Sequence, residues 1–330
     1  MTRSPVHWTG GLVWLSAGLL VAGCGVGSQG WEWPDVWMSD AVARQIFWEI
    51  RVPRNLGAWF GGALLGLSGA VAQGLFRNPL ADPYLMGSSA GASLGVSLAL
   101  SAGGISLMGL AHWARMGITG AAFLGAIAAV CLTLMLSRGM QHTLRLILAG
   151  VVVGVVLSAL ATLLVLRDQT LWQTLQAFML GSATMIDQSA CSLMGVVLLT
   201  CLLLALFWAR VLDALHLGED TARSLGMPLT AAPWGLLGVM SLATGSAVAQ
   251  MGLVAFIGLA APHAVRSTLH VTHGWLLTIS ALMGGLLLLA SDIVARLLWA
   301  PEELPVGVIT SVLGGGYLLW RMKRPSQGGM

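Results

Sequence analysis

The chain has 330 residues, 57% hydrophobic and 9% charged, against about 25% charged in soluble domains. Its formal charge of +3 is small and dispersed, so nothing supports a nucleic-acid partner. What remains is an all-α membrane protein, a single polytopic unit over residues 1–330, because no long polar segment is left for a soluble domain.

A span needs about 20 apolar residues, and about ten transmembrane helices are predicted. The first covers about 10–27. Val21-Ala22-Gly23-Cys24 near its end matches a bacterial lipoprotein cleavage box, but Arg3 and the start amine make a short n-region. An uncleaved span is the expectation. Trp31, Trp33, Trp37 and Trp48 then read as an interfacial belt. Arg51-Val52-Pro53-Arg54 opens the second span, about 55–76. Pro53 suits a first helical turn, and arginines three apart share a face. Cations there oppose the helix dipole and the positive-inside bias, so a basic docking surface or headgroup binding is expected. Ser68-Gly69-Ala70-Val71-Ala72-Gln73 follows within this span.

The proline-bracketed turn Asn78-Pro79-Leu80-Ala81-Asp82-Pro83 precedes the third span, about 84–102, whose small residues allow close helix packing. The fourth and fifth spans cover about 116–137 and 145–166. Trp172 to Ser182 reads as a short re-entrant or interfacial helix, and the sixth span covers about 189–209.

A polar island follows at 216–228. Gly218 opens a short helix, with Glu219 and Asp220 in its first turn and Arg223 four residues after Glu219. Leu217, Ala222 and Leu225 fall roughly on one side, and Gly226 and Pro228 end it. Taken alone, these residues fit a solvated loop or a handle for another protein equally well.

Spans seven to ten cover about 230–250, 252–266, 275–292 and 305–321. In the seventh, Gly245-Ser246-Ala247-Val248-Ala249-Gln250 echoes the run at 68–73. Five spans separate the copies, so they have opposite topology, the sign of an inverted repeat. Asp292 and Arg296 are four apart near the outer end of the ninth span and are expected to pair. With the N-terminus inside, Arg77, Arg145, Arg210, Arg223 and Arg266 are cytoplasmic, while Arg44, Arg115 and Arg167 lie outside; both termini are then cytoplasmic.

Groups for chemistry are sparse. Lys323 is the lone lysine, so there is no Gly-Lys-Ser/Thr phosphate loop. Cys24, Cys131, Cys191 and Cys201 lie in apolar runs without a Cys-x-x-Cys pair. His270 and His273 are close, but no carboxylate or cysteine accompanies them in sequence. No metal site, resident cofactor or catalytic constellation is expected. An ion-coupled secondary transporter is the alternative reading, and the lack of a buried carboxylate relay argues against it.

Taken together, Arg51-Val-Pro-Arg54, Ser68-Gly69 with Gln73, Asn78-Pro-Leu-Ala-Asp-Pro83 and Gly87 with Ser89-Ala-Gly-Ala92 form an ordered set. Leu217-Gly-Glu-Asp-Thr-Ala-Arg-Ser-Leu-Gly226, Gly252 to His263 with Arg266, Asp292-Ile-Val-Ala-Arg296 and Glu303 to Thr310 continue it. From about residue 45 onward the chain resembles the FecCD-type permeases of bacterial importers for ferric siderophores, haem and cobalamin. The resemblance implies a type II ABC importer permease architecture in the inner membrane, working as a homodimer. It further implies a pathway at the dimer interface, lined by spans five and ten with help from span three. Partners would be membrane lipid, two copies of a cytoplasmic ATPase and a periplasmic substrate-binding protein. Arg51, Arg54 and Arg296 match the positions that dock that protein. Leu217, Gly218, Glu219, Asp220, Ala222, Arg223, Leu225 and Gly226, within a coupling segment of about 210–228, match those that seat in the ATPase. Gly315-Gly316-Tyr317-Leu318 departs from the family pattern, and its glycines predict a more flexible segment.

Overall fold

The computed structural model describes residues 4–27, 30–31, 40–102, 111–137, 143–166 and 169–323. Arg3, Trp33, Trp37 and Arg167 lie outside the described residues. Apart from a two-residue hairpin pairing Val26–Gly27 with Gly30–Trp31, the regular structure described is helical.

Helix α1 is Pro5–Cys24. Next, α2 (Ala41–Ile46), a widened turn at Phe47–Arg51 and α3 (Val52–Leu75) form one continuous rod. The Arg51–Arg54 stretch is therefore not at an open helix start. Pro53 lacks an N–H and crowds the carbonyl four residues back, and the turn before it loosens, with the Val52 N–H bonding the Phe47 carbonyl. Helix α4 is Ser88–Ser101, α5 Ala111–Leu136, α6 Thr143–Val165 and α7 Gln169–Leu180. They are followed by α8 (Gln188–Phe207), α9 (Ala209–His216), α10 (Glu219–Ser224), α11 (Ala231–Met251), α12 (Ile257–Thr268), α13 (His273–Leu297) and α14 (Val306–Lys323).

Seven described helices are long and apolar enough to cross a membrane. The other three predicted spans also form helices, α4, α12 and α14, of which α4 and α12 are short, at 14 and 12 residues. Hydropathy cannot see the cause. Gly87, at φ +76°, separates a 3₁₀ turn (Pro83–Met86) from α4. Gly252 (φ +72°) and Phe256 (φ +68°) delay the start of α12. At 1.5 Å per residue, α4 reaches only about 21 Å. Each copy of the internal repeat thus has the same form, a long helix followed by a short one. The copies also touch: Ser68 Oγ lies 2.6 Å from Thr244 Oγ1 and donates to the Met240 carbonyl at 3.1 Å. Helix α7 occupies the predicted interfacial segment and ends at Gly181, where its Phe178 carbonyl accepts the Leu253 N–H at 3.0 Å.

The centre of the bundle is the crossing of α3 with α13, α11 and α12. A Cβ on Gly62 would strike the Gly284 carbonyl, one on Gly66 the Ser280 carbonyl, and one on Gly69 the Gly258 carbonyl. Without lipid-driven hydrophobic association, such close backbone approach is how membrane helices gain contact. Leu64, Leu67, Leu236, Met240 and Leu277 fill the space around this seam. The C-terminal glycines do not interrupt α14. A Cβ on Gly314 would instead collide with Phe256, so this glycine permits close packing within a continuous helix.

Candidate functional site

Two polar clusters lie at opposite ends of α13. At its C-terminal end, Arg54 Nη2 donates to Asp292 Oδ1 at 3.1 Å, and Arg54 Nη1 reaches both Glu303 oxygens at 2.9 Å. Arg296 Nε pairs with Asp292 Oδ2 at 3.1 Å, the pairing expected from sequence. Arg296 Nη1 donates to the Gly23 and Val26 carbonyls at 3.0 Å, and Nη2 donates to Asn55 Oδ1 at 2.8 Å. Arg51 Nη1 donates to the Cys24 carbonyl at 3.1 Å, and Asn55 Nδ2 to the Arg51 carbonyl at 2.7 Å. Thr184 completes the cluster by donating to Glu303 Oε2 at 3.2 Å.

In this geometry Arg54 and Arg296 are not free surface cations. Arg54 is 8% exposed and Arg296 4%, and both are already matched by carboxylates. A cation withdrawn from water needs a counter-charge and further hydrogen bonds to balance its desolvation. Asp292, Glu303, Asn55 and the end of α1 supply them. Arg51 is less deeply buried. Burial pushes the Glu303 carboxyl up, but the Arg54 hydrogen bond and charge, with Thr184 and Arg296, outweigh it and hold it below its ordinary value. Asn55 and Thr184 were not singled out from sequence. Asn55 had one signal, its place four residues after Arg51 on the same helix face.

At the other end, α9 leads into α10. Gly218 takes φ +112°, which favours glycine, and its carbonyl accepts the Ala222 N–H at 3.0 Å. Glu219 and Asp220 occupy the first turn, and Arg223 Nη2 bonds Glu219 Oε1 at 2.9 Å. The helix closes as a Schellman motif: the Met227 N–H bonds the Ala222 carbonyl at 3.1 Å, and the Gly226 N–H bonds that of Arg223 at 2.9 Å. Gly226 takes the required left-handed φ of +70°. The capped short helix read from sequence is therefore present, but its apolar residues divide differently. Ala222 is fully buried, whereas Leu217 is 68% exposed and Leu225 57%. They do not share one inward side, because six residues complete fewer than two turns and the glycines swing both leucines outward.

A third feature is an open groove of about 580 Å³ between the 3₁₀ turn, the start of α4 and the middle of α6. Gly87, Ser89, Ala90, Gly150, Gly154 and Ser158 give it narrow side chains, and Asp82 and Tyr84 stand at its edge. Asp82 Oδ1 caps the 3₁₀ turn by accepting the Tyr84 N–H at 2.8 Å. Burial raises the Asp82 carboxyl to about 6, with that hydrogen bond opposing the rise. Helix α6 presents exposed Val151 and Val155 in the groove and Val152 and Val156 outside it, and α14 presents Val312 and Leu313. Among the described residues no cluster of three histidine, cysteine or acidic side chains could hold a metal ion.

Comparison with known proteins bears on the whole chain. The model of the FecCD transport family matches residues 15–324. The hemin transport system permease protein HmuU of Yersinia pestis is 40% identical over 285 residues, covering 84% of this chain and 83% of that protein. The vitamin B12 import system permease protein BtuC of Salmonella newport is 37% identical over 302 residues, covering 90% of this chain and 89% of its own length. Among solved structures, an inward-facing metal-chelate type ABC transporter superposes with a TM-score of 0.85 at 28% identity, covering 96% of this chain and all of the other.

Proposed function

This chain belongs to the FecCD transport family, and from that premise we propose how its parts divide the work of an importer. It is a multi-pass membrane permease subunit of an ATP-binding cassette importer. The cargo we assign is a bulky metal chelate: a ferric siderophore, haem or cobalamin. The relatives named above carry hemin and vitamin B12. The groove suits this class, since small side chains leave room and nothing in it grips tightly.

The ATPase-coupling role of 217–226 rests chiefly on one observation. A capped, rigid helical turn holds Leu217 and Leu225 out in the open, and exposed apolar side chains on a fixed element suit a partner's groove. Two ATPase copies bind there on the cytoplasmic side of the inner membrane, where both termini also lie. A second copy of this chain covers the exposed valines of α6 and the outer face of α14, so that two grooves face one pathway. The remaining apolar faces meet lipid.

A periplasmic binding protein docks at the Arg54 end. There Arg51 is the outermost of the three arginines, while Arg54 and Arg296 hold the surface in shape through Glu303 and Asp292. Arg51→Glu should weaken that docking and change its salt dependence; unchanged affinity in a titration of the purified pair would remove Arg51 from the interface.

The deciding experiment is uptake into proteoliposomes carrying this chain and its ATPase, with binding protein outside and ATP inside. Uptake of hemin, cobalamin or a ferric siderophore should need both ATP and binding protein. Uptake driven by a proton gradient alone would overturn the reading in favour of a secondary transporter.

A further inference from the structure

Asp213 and His273 are 60 residues apart, yet one carboxylate oxygen serves both donors of the histidine. Asp213 Oδ1 accepts the His273 backbone N–H at 2.9 Å and lies 2.7 Å from ring Nδ1. The first turn of a helix leaves four N–H groups without helical partners, and Thr272, the residue preceding α13, makes no side-chain cap. A carboxylate from α9 does this instead, with its negative charge at the positive end of the helix dipole. His273 is 7% exposed, and its ring lies against Gly74 of α3 beside Leu212 of α9.

Both sides of this contact are stiff. On one side, α9 runs into α10 through backbone bonds from Leu217 to Ala214 and from Gly218 to Leu215, both 3.1 Å. On the other, α13 is an unbroken 25-residue helix locked to α3 along the glycine seam. Asp292 lies 19 residues beyond His273, about 28 Å along the helix. It anchors the cluster of Arg54, Arg296 and Glu303.

We infer that Asp213 and His273 form the joint that carries displacement of the α9–α10 segment into α13, and through it to the Arg54–Asp292–Arg296 cluster at the opposite end. They are positioning residues. The inference rests on α10 being the element the ATPase grips. Conversely, a change at the Arg54 end is felt at α10, because coupling between two sites is reciprocal.

The test uses the assembled transporter in proteoliposomes, measuring cargo imported per ATP hydrolysed alongside ATPase binding and thermal stability. Asp213→Ala and His273→Leu should lower imported cargo per ATP about fivefold or more, with ATPase binding retained. His273→Asn, which returns a donor to the Nδ1 position, should recover most of the ratio. Spin labels at Ser224 and Trp299 should shift together on nucleotide binding in the parent protein and independently in Asp213→Ala. If Asp213→Ala does not assemble, Asp213→Asn, which keeps an acceptor but loses the charge, is measured in its place. An unchanged ratio, or import and hydrolysis falling together with assembly, would overturn the joint. Failure of the coupling reading looks different: Leu217 and Leu225 variants would then bind the ATPase and import normally.

Discussion

The two ends of α13 are both polar islands in a very apolar chain, and they are finished in opposite ways. At the Arg54 end, every charge discussed has its partner within the same chain, on α1, α3, α13 or the turn before α14. At the α10 end, the backbone is equally well closed, but Leu217, Leu225 and the Glu219–Arg223 pair stand in the open. The contrast teaches how to read polar residues in a membrane protein. A buried cluster whose charges pair within the chain sets shape, and its loss is felt in folding. A rigid element with unspent apolar surface serves a second molecule, and its loss is felt in assembly and coupling.

The most severe break in this contrast is Asp292→Ala. It leaves Arg54 and Arg296 buried beside only one carboxylate, and removing one partner of a buried pair costs about 3–5 kcal/mol. Far less folded protein should be recovered from membranes, with a lower melting temperature in detergent. Near-normal melting would show that Arg54 and Arg296 do not depend on this carboxylate. Bulky residues at both Gly218 and Gly226 come next. Side chains at these positive φ values carry about 1–3 kcal/mol of strain each, so α10 should lose its shape while the bundle survives. ATP hydrolysis should continue with little import; import at the parent rate would sink the coupling role. Leu217→Ser with Leu225→Ser should leave melting unchanged and weaken ATPase binding by about 1–3 kcal/mol, the range of a modest interface hot spot. Binding at full strength in a pull-down titration would show these leucines to be idle.

The smallest effect concerns pH. Glu303 titrates lower in the folded protein than its unfolded value of about 4.5. Its contribution to stability is therefore complete above that value and is lost as pH falls through the folded one. Acid melts should show a small loss below about pH 4.5 that Glu303→Gln lacks. An identical pH profile in the variant would place Glu303 outside the cluster's energetics.

Much of this was legible in the sequence. The long spans follow from hydropathy, the cap of α10 from Gly218, Glu219 and Gly226, and the Asp292–Arg296 pair from its four-residue spacing. What stayed hidden depended on distance or on backbone sign. Arg54 meets Asp292 across 238 positions and Arg296 meets Asn55 across 241, so counting charges by side of the membrane shows the cations without their partners. Hydropathy windows ran through Gly87 and Phe256 because a left-handed φ leaves no trace in an apolar average. Leu217, Ala222 and Leu225 read as one side in sequence because helical periodicity assumes a helix long enough to have faces.

The glycine seam between α3 and its neighbours sets a limit on how this sequence can drift. A single added methyl at Gly62, Gly66 or Gly69 meets a carbonyl oxygen of the facing segment, and backbone cannot step aside as a side chain can. Random mutagenesis scored by uptake should therefore leave these three positions nearly blank, while Leu199 or Leu203 of α8, which face outward, accept most apolar replacements. The most constrained residues of the chain would then be those with no side chain at all.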